Sequence, residues 1–241
     1  PEVRSRARTS SAGTVAARSA VTRRLSAVQT LEQMGFPINL CLKAMEHAGF
    51  WPYLAVQQWF KGCSLFGVGA IAFIGSGIIA READQRTAEF LFSRPLSRRR
   101  VLYTRHALVC VLALGPVVLS SLSAVWLSRL VGEHVGWGEL LASTLYMCLF
   151  LWSLICLTTL VSAWAVHQLT AGAVVVGVAL VSFAMFLVQG LGWLSPFSLI
   201  DVRVFMAIHD GQWPWWPSIA LLVASFVMLM LADIRLQRRD F

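Results

Sequence analysis

Long apolar stretches alternate with short polar ones along most of this chain. A helix needs roughly 20 apolar residues to cross a hydrocarbon core of ~30 Å, and only helices or closed barrels can cross, because every backbone group must be bonded internally. Strand-like alternation is not evident. The pattern predicts an all-α polytopic membrane bundle whose five spans lie at about Trp59–Ala80, His106–Ser128, Leu140–Ala165, Leu169–Leu191 and Trp216–Ala232.

The composition supports this class of protein. Hydrophobic residues make up 57% of the chain and charged residues only 13%, whereas soluble domains carry about 25% charged residues. The net charge of +8 would favour nucleic acid in a soluble protein, but here the arginines flank apolar runs. That placement favours anionic lipid headgroups as partners, and no nucleic acid. The five cysteines form no CxxC pair, so we interpret them as small hydrophobes rather than metal ligands.

The N-terminal part has a different character. Residues 1–30 carry six arginines against the single carboxylate of Glu2. We interpret them as a flexible basic arm or a surface loop, with an organelle transit peptide as the alternative. The aromatic residues Trp51, Tyr53 and Trp59 favour an interfacial segment that leads into the first span. The chain therefore divides into an arm with an interfacial segment, residues 1–54, and a transmembrane domain, residues 55–241.

The most highly charged stretch, residues 81–105, lies between the first two predicted spans, and we call it the charged loop. It contains seven arginines and three carboxylates. Thr87 can cap a short helix over residues 87–93, and Pro95 would stop that helix. Ser97 can cap the next helix, which continues into the second span. The loop thus predicts a short amphipathic helix, whose apolar side includes Phe90 and Leu91, lying on the membrane surface.

The arginines also predict the orientation of the chain. Seven lie in the charged loop and three follow the last span, whereas the opposite loops carry only Arg129 and Arg203. Arginine-rich loops remain in the cytoplasm, so the charged loop and the C-terminus are predicted to face it. Five spans then place residue 1 on the other side, which conflicts with an arginine-rich arm. We therefore expect one more membrane helix before these five, upstream of them or in a stretch absent from this chain.

The chain offers little catalytic chemistry of its own. It has no G-x-x-x-x-G-K-[ST] sequence with which to cradle ATP phosphates. The predicted spans lack carboxylates apart from Asp233 at the end of the last, which argues against a proton- or sodium-coupled carrier. An intramembrane enzyme is disfavoured for lack of a nucleophile and base. His134 beside Glu133, and His209 beside Asp210, could handle a metal, but ordinary loop histidines are favoured and no metal site is predicted.

Polar residues inside the predicted spans have two interpretations. Most are expected to form hydrogen bonds with neighbouring helices. The alternative is that some line a path for a transported substrate. The best candidates for such a path are Gln168, Gln189, Thr158 and Ser162.

The charged loop resembles a loop of ABC-2 type transporter permeases. Its sequence Glu82-x-Asp84-x-x-Thr87-x-Glu89-x-Leu91-x-x-x-Pro95-x-Ser97-Arg98 is similar to the family pattern E-x-E-x-G-T-x-E-x-L-L-x-x-P-x-S-R. Ser195-Pro196-Phe197 followed by Asp201, and the ending Arg238-Arg239-Asp240-Phe241, resemble two further family elements. Arg86 stands where the family usually has glycine. The resemblance extends over roughly residues 55–241 and implies six membrane helices.

The resemblance implies a function and partners. The predicted short helix would be a coupling helix that contacts a separate cytoplasmic ATPase, which would hold ATP and Mg²⁺, while this chain would hold no cofactor. A second permease copy, or a related permease subunit, would complete the transporter in a bacterial inner membrane. The transporter would export a hydrophobic, drug-like or lipid-linked substrate. A copper- or maturation-linked permease and a non-transporting membrane anchor for an ATPase are the alternatives. The coupling residues would be Glu82, Asp84, Thr87, Glu89, Phe90, Leu91, Pro95 and Arg98.

Overall fold

The computed structural model of this protein describes residues 50–80, 97–130, 135–165, 167–188 and 191–238. These residues belong to one unit of the chain, Phe50–Phe241. The predicted N-terminal arm and the predicted helix over residues 87–93 lie outside the described residues. Within the described ranges the regular structure is helical, without strands.

Six helices follow one another along the described chain. Helix α1 runs through three consecutive segments, of which the middle one is a π-helix: Phe50–Leu54, Ala55–Phe66 and Gly67–Ser76. The others are α2 at Arg98–Leu130, α3 at Trp137–Trp164, α4 at Gln168–Leu187, α5 at Val202–His209 and α6 at Trp215–Gln237. Five of them, all except the short α5, are long and apolar enough to cross a membrane.

The five predicted spans are confirmed as helices, but the first begins earlier than predicted. This first spanning helix begins near Trp51 rather than Trp59, because its aromatic first turns pack inward instead of lying along the membrane surface. The second span continues a helix that begins at Arg98, as predicted, because arginine is a good helix former and its charged head can reach water. Ser97 caps this helix as predicted, since its Oγ accepts a hydrogen bond from the Arg100 N–H at 3.3 Å.

Helix α3 is the centre of the bundle. It packs against α1, α2, α4, α5 and α6, and it is the most buried of the five long helices. Glycines of α1 lie in its contact with α3. A Cβ atom added at Gly75 would lie 2.8 Å from Thr158 Cγ2, and one added at Gly67 would lie 3.0 Å from Leu151 Cδ2. The absence of side chains at these glycines therefore lets α1 approach α3 closely.

Residues 192–214, expected to be an open loop, form a folded cap over one end of the bundle. Ser195 begins a 3₁₀ turn at Pro196–Ile200: its Oγ accepts from the Phe197 N–H at 3.1 Å and donates to the Ser182 carbonyl at 2.6 Å. Asp201 then caps α5 by accepting from the Val202 N–H at 2.7 Å. Capping and the burial of Phe197, Ile200, Phe205 and Ile208 explain why this stretch is ordered.

The bundle therefore has two ends of different composition. We call one of them the cap end, where the cap meets the starts of α1, α3 and α6. We call the other the arginine end, where the first turn of α2 meets the last turns of α1, α3 and α6. Arg98, Arg99, Arg100 and Arg105, from the last part of the charged loop, lie there on α2.

Candidate functional site

The arginine end begins with an unusual helix start. Three consecutive arginines, Arg98 to Arg100, occupy the first turn of α2, and that turn contains no acidic residue. A helix N-terminus carries a partial positive charge and normally attracts carboxylates, so arginines there are unfavourable unless other groups compensate them. Partners for the first two arginines come from α6, whose last turn lies beside the start of α2.

An ion pair joins these two helices. The Nε of Arg99 lies 2.9 Å from Oδ2 of Asp233, and Oδ1 of Asp233 accepts from the Gln237 side-chain amide at 3.1 Å. The Asp233 side chain is only 6% exposed, whereas that of Arg99 is 65% exposed. A buried carboxylate near a helix C-terminus is costly without a cation. The positive start of α2 and the negative end of α6 therefore stabilise each other, and Arg98 adds a long contact of 3.5 Å to the Leu236 carbonyl.

The opposite end of the charged loop is fixed by a second set of hydrogen bonds. The Oγ of Ser162 on α3 accepts from the N–H groups of Ile79 and Ala80, both at 3.0 Å, and donates to the Ser76 carbonyl at 3.0 Å. Arg105 of α2 donates to the Ile78 carbonyl at 2.9 Å. The backbone immediately before the charged loop is thus bonded to α3 and α2, and the side chains of Arg98 and Arg99, near the end of the loop, are bonded to α6.

A buried histidine stabilises the same region of the bundle. His106 of α2 is 7% exposed; its Nδ1 lies 3.0 Å from Thr159 Oγ1, and its Nε2 accepts from the Trp152 indole at 3.3 Å. The Thr159 hydroxyl donates to the Ile155 carbonyl at 2.7 Å. With that proton engaged, Nδ1 is the donor to Thr159, and Nε2, which accepts from Trp152, also lies 4.0 Å from Cys156 Sγ. This network links α2 to α3.

The predicted substrate-path residues occupy varied positions. Thr158 and Ser162, one turn apart on α3, are fully buried against α1, and the Thr158 hydroxyl donates to the Leu154 carbonyl at 2.7 Å. Gln168 is the first residue of α4. It lies beside Gly77, which belongs to the turn that follows α1. Gln189 lies outside the described residues. The three described residues thus share the contact region of α1, α3 and α4 near the arginine end, and their role in a substrate path stays a prediction.

Comparison with known families identifies this architecture. A family model described as ABC-2 family transporter protein matches residues 55–241, which is more than half of the chain. The chain belongs to the ABC-2 family of transporter proteins. No curated protein and no solved structure matches it. The ABC-2 resemblance of the charged loop is therefore confirmed at the level of the family.

Family membership fixes the coarse role of the chain. An ABC-2 permease is the membrane-spanning subunit of an ABC transporter and not its nucleotide-binding domain, and the family implies an associated ABC ATPase. The five long apolar helices make this permease a multi-pass integral membrane protein. Of the predicted coupling residues, the structure describes Arg98, at the first position of α2. Glu82, Asp84, Thr87, Glu89, Phe90, Leu91 and Pro95 lie outside the described residues.

At the cap end of the permease, His209 contacts a carboxylate that is distant in sequence rather than its neighbour Asp210. His209 is the last residue of α5, not part of a loop as predicted, and its Nδ1 lies 2.6 Å from Glu139 Oε2 at the start of α3. Its ring stacks on Trp51 of α1, with the ring centroids 4.9 Å apart. Among the described residues, no three His, Cys, Asp or Glu side chains come together as metal ligands would. The sequence did not predict the contact between His209 and Glu139, because the two residues are 70 positions apart.

Proposed function

We propose that this permease exports a hydrophobic, drug-like or lipid-linked substrate, driven by a separate cytoplasmic ATPase that docks on the charged loop. ATP and Mg²⁺ would be held by that ATPase, and a second permease copy would complete the transporter in a bacterial inner membrane. One observation carries the proposal. Contacts near the two ends of the charged loop reach different membrane helices: Ser162 of α3 and Arg105 of α2 bind the backbone before the loop, and the Arg99 side chain pairs with Asp233 of α6.

Such anchoring suits a loop that transmits force. The charged loop connects α1 to α2 directly along the chain, and its bonds extend to α3 through Ser162 and to α6 through Asp233. A displacement of the loop by closing ATPases would therefore act on four of the five long helices together. An isolated flexible loop would absorb the same displacement without moving the spans. Transmission through packed elements with few, specific contacts is the physical requirement for coupling.

The sequence of the loop suggests how the ATPase would be held. Glu82, Asp84 and Glu89 would meet basic groups on the ATPase, and Phe90 and Leu91 would fill an apolar cleft. Thr87 and Pro95 would bound the short helix that carries these contacts. The excess of arginines at this end supports a cytoplasmic orientation, where an ATPase has access to ATP.

Charge reversal in the loop tests the proposal. Glu89→Lys should reduce substrate-stimulated ATP hydrolysis in reconstituted vesicles by about tenfold or more, or prevent assembly with the ATPase. The reason is that disrupting a buried charge pair at an interface weakens binding by about 2–5 kcal/mol. Asp210→Lys is the matched control, since it makes the same change at an exposed residue of the cap end. Normal assembly and normal transport in the Glu89 variant would remove the docking assignment.

The same vesicles separate transport from anchoring. An exporter hydrolyses ATP faster when its substrate is present and moves that substrate across the membrane. A non-transporting anchor that recruits an ATPase to an extracytoplasmic assembly would bind the ATPase through the charged loop, yet show no substrate-dependent hydrolysis by any compound tested. Stimulation by copper ions instead would favour the copper-linked alternative.

A further inference from the structure

An apolar cavity of about 680 Å³ opens between α3, α4 and α6 at the arginine end. Leu160 and Trp164 of α3, Val174 of α4 and Leu231 of α6 are among its lining side chains. Its volume lies within the ~300–1,000 Å³ that is typical of ligand pockets. The cavity is separate from the Ser162 and Asp233 contacts described above, and the coupling mechanism makes no use of it.

Two arginines form the polar rim of this cavity. Arg235 and Arg238 extend from the last turn of α6, and the Arg235 guanidinium lies 5.1 Å from the centre of the Trp164 ring. In the part of the chain that the structure describes, neither arginine forms an ion pair with a carboxylate. Asp233, the nearest carboxylate along α6, faces the other side of the helix and is paired with Arg99. The rim therefore carries two positive charges that the described residues leave uncompensated.

We infer that this cavity is a binding site for an anionic phospholipid of the adjacent leaflet. An acyl chain would lie in the apolar cavity, and the phosphate would bind Arg235 and Arg238. Basic pockets between membrane helices recognise anionic headgroups in this way, and tryptophan is enriched at the depth where Trp164 would sit. The inference rests on the membrane-spanning character of the helices and not on export or ATPase docking.

Charge complementarity favours a lipid as the occupant of this cavity. The carboxylates among the described residues are Glu139, Asp201 and Asp210, all at the cap end, and Asp233, which is already paired. None of these described carboxylates would offer a free anion to the cavity from a second copy, and the remaining carboxylates near this end lie in residues 81–96 and 239–241, outside the described residues. An anionic phospholipid supplies both a negative headgroup and an apolar chain, which are the two chemistries that the rim and the lining require.

Lipid retention by the purified full-length permease tests the site. The protein is equilibrated in detergent with equal amounts of phosphatidylglycerol and phosphatidylcholine that carry the same acyl chains, and bound lipid is measured by native mass spectrometry. Both lipids carry a phosphate, but the choline cation of phosphatidylcholine cancels its charge. Two arginines at the rim therefore predict a preference of about tenfold or more for phosphatidylglycerol, which is net anionic. The double substitution Arg235→Gln with Arg238→Gln should bring the ratio close to one. Arg203→Gln, at a 77% exposed arginine of the cap end, should leave it unchanged.

A second pair of variants tests the cavity itself. Val174→Trp should reduce retention of both lipids several-fold, because the indole would fill the space meant for the acyl chain. Val176→Trp, on the same helix with similar exposure but outside the lining, should not. All five substituted positions are exposed, so size-exclusion profiles should match the unmodified protein.

Three outcomes would overturn the inference. The first is equal retention of the two lipids by the unmodified protein, and the second is an unchanged preference after both arginines are replaced. The third comes from a photo-crosslinking residue placed at position 174 in native membranes: adducts with lipid support the site, whereas adducts with a second copy of the permease assign the cavity to a subunit interface. Because none of these readouts needs ATP, failure of the proposed export function would leave them intact.

Discussion

The two ends of this bundle are held together by different kinds of contact. At the cap end, aromatic rings interlock: Trp59 stacks on Phe205 at 5.1 Å between ring centres, and Tyr146 meets the edges of Phe205 and Trp213. At the arginine end, one ion pair and a few hydrogen bonds to backbone join the helices. Extensive apolar burial resists partial displacement, whereas a few polar contacts can break and re-form. From this difference we expect the contacts between α2 and α6 at the arginine end to rearrange more readily than the aromatic cluster of the cap end.

The largest expected effect comes from the aromatic cluster of the cap end. Trp59 is fully buried, and Trp59→Ala should lower the free energy of unfolding by roughly 3–5 kcal/mol, because it removes the largest buried ring and leaves a cavity. The Trp59 indole N–H has no hydrogen-bond partner among the described residues. Trp59→Phe, which keeps the stacked ring, should therefore cost less than about 1.5 kcal/mol. Thermal unfolding in detergent measures both, and equal losses would contradict a packed cap end.

The second effect concerns the backbone before the charged loop. Ser162→Ala would leave the N–H groups of Ile79 and Ala80 without their acceptor, at a cost of about 1–3 kcal/mol. Ser153→Ala is a matched control on α3, because the Ser153 hydroxyl donates to the carbonyl of its own helix and accepts from no other. If Ser162 acts as a structural anchor, the variant loses stability at constant substrate affinity. A change in substrate affinity without a loss of stability would instead favour the substrate path.

A third, smaller effect is expected at the ion pair. Arg99→Gln and Asp233→Asn should each lower stability, and their double-mutant cycle should give a coupling energy of about 1 kcal/mol, since Arg99 is largely exposed and its charge is screened by water. Substrate-stimulated ATP hydrolysis should fall in both variants while the ATPase still binds. Restoration of coupling by the exchange Arg99→Asp with Asp233→Arg would sharpen the assignment, and additive single effects would argue against it.

The smallest effect is expected at the polar contact of the cap end. His209 and Glu139 are each about one-third exposed at the side chain, so His209→Gln should cost less than about 1 kcal/mol. A glutamine amide can still donate to the Glu139 carboxylate, and the stacked rings of the cluster remain except for that of His209. Chemical unfolding at low and high salt would reveal whether charge matters here. A loss as large as that of Trp59→Ala would overturn the contrast between the two ends.

Sequence alone predicted the elements that depend on length and composition. The five long helices follow from apolar runs, and the start of α2 follows from the capping residue Ser97. The cap was mistaken for a loop, although Ser195, Pro196 and Asp201 are strong helix-start signals, because its eight-residue helix is too short for a clear period. Ser195, Pro196 and Asp201 were interpreted only as part of a family motif, whereas their capping chemistry would have predicted a folded segment.

The contacts of the arginine end could not be predicted in the same way. Arg99 and Asp233 are distant in sequence, and either could have faced water. Ser162 lies in an apolar span where a serine can bond to its own helix, face a neighbour or line a path, and only the packing of α1 against α3 selects among these. The local sequence pattern thus predicted which side chains could form polar contacts, whereas tertiary packing determined the partners of those contacts.

The close approach of α1 and α3 has a consequence for how this permease can change shape. The contact at Gly75 has no room for one methyl group beside Thr158, so the two helices cannot slide or rotate past each other without unpacking. We therefore expect them to travel as one rigid body through a transport cycle. Relative motion is left to α4, which of the five long helices buries the smallest share of its surface. Opening and closing of a passage would then take place along the sides of α4.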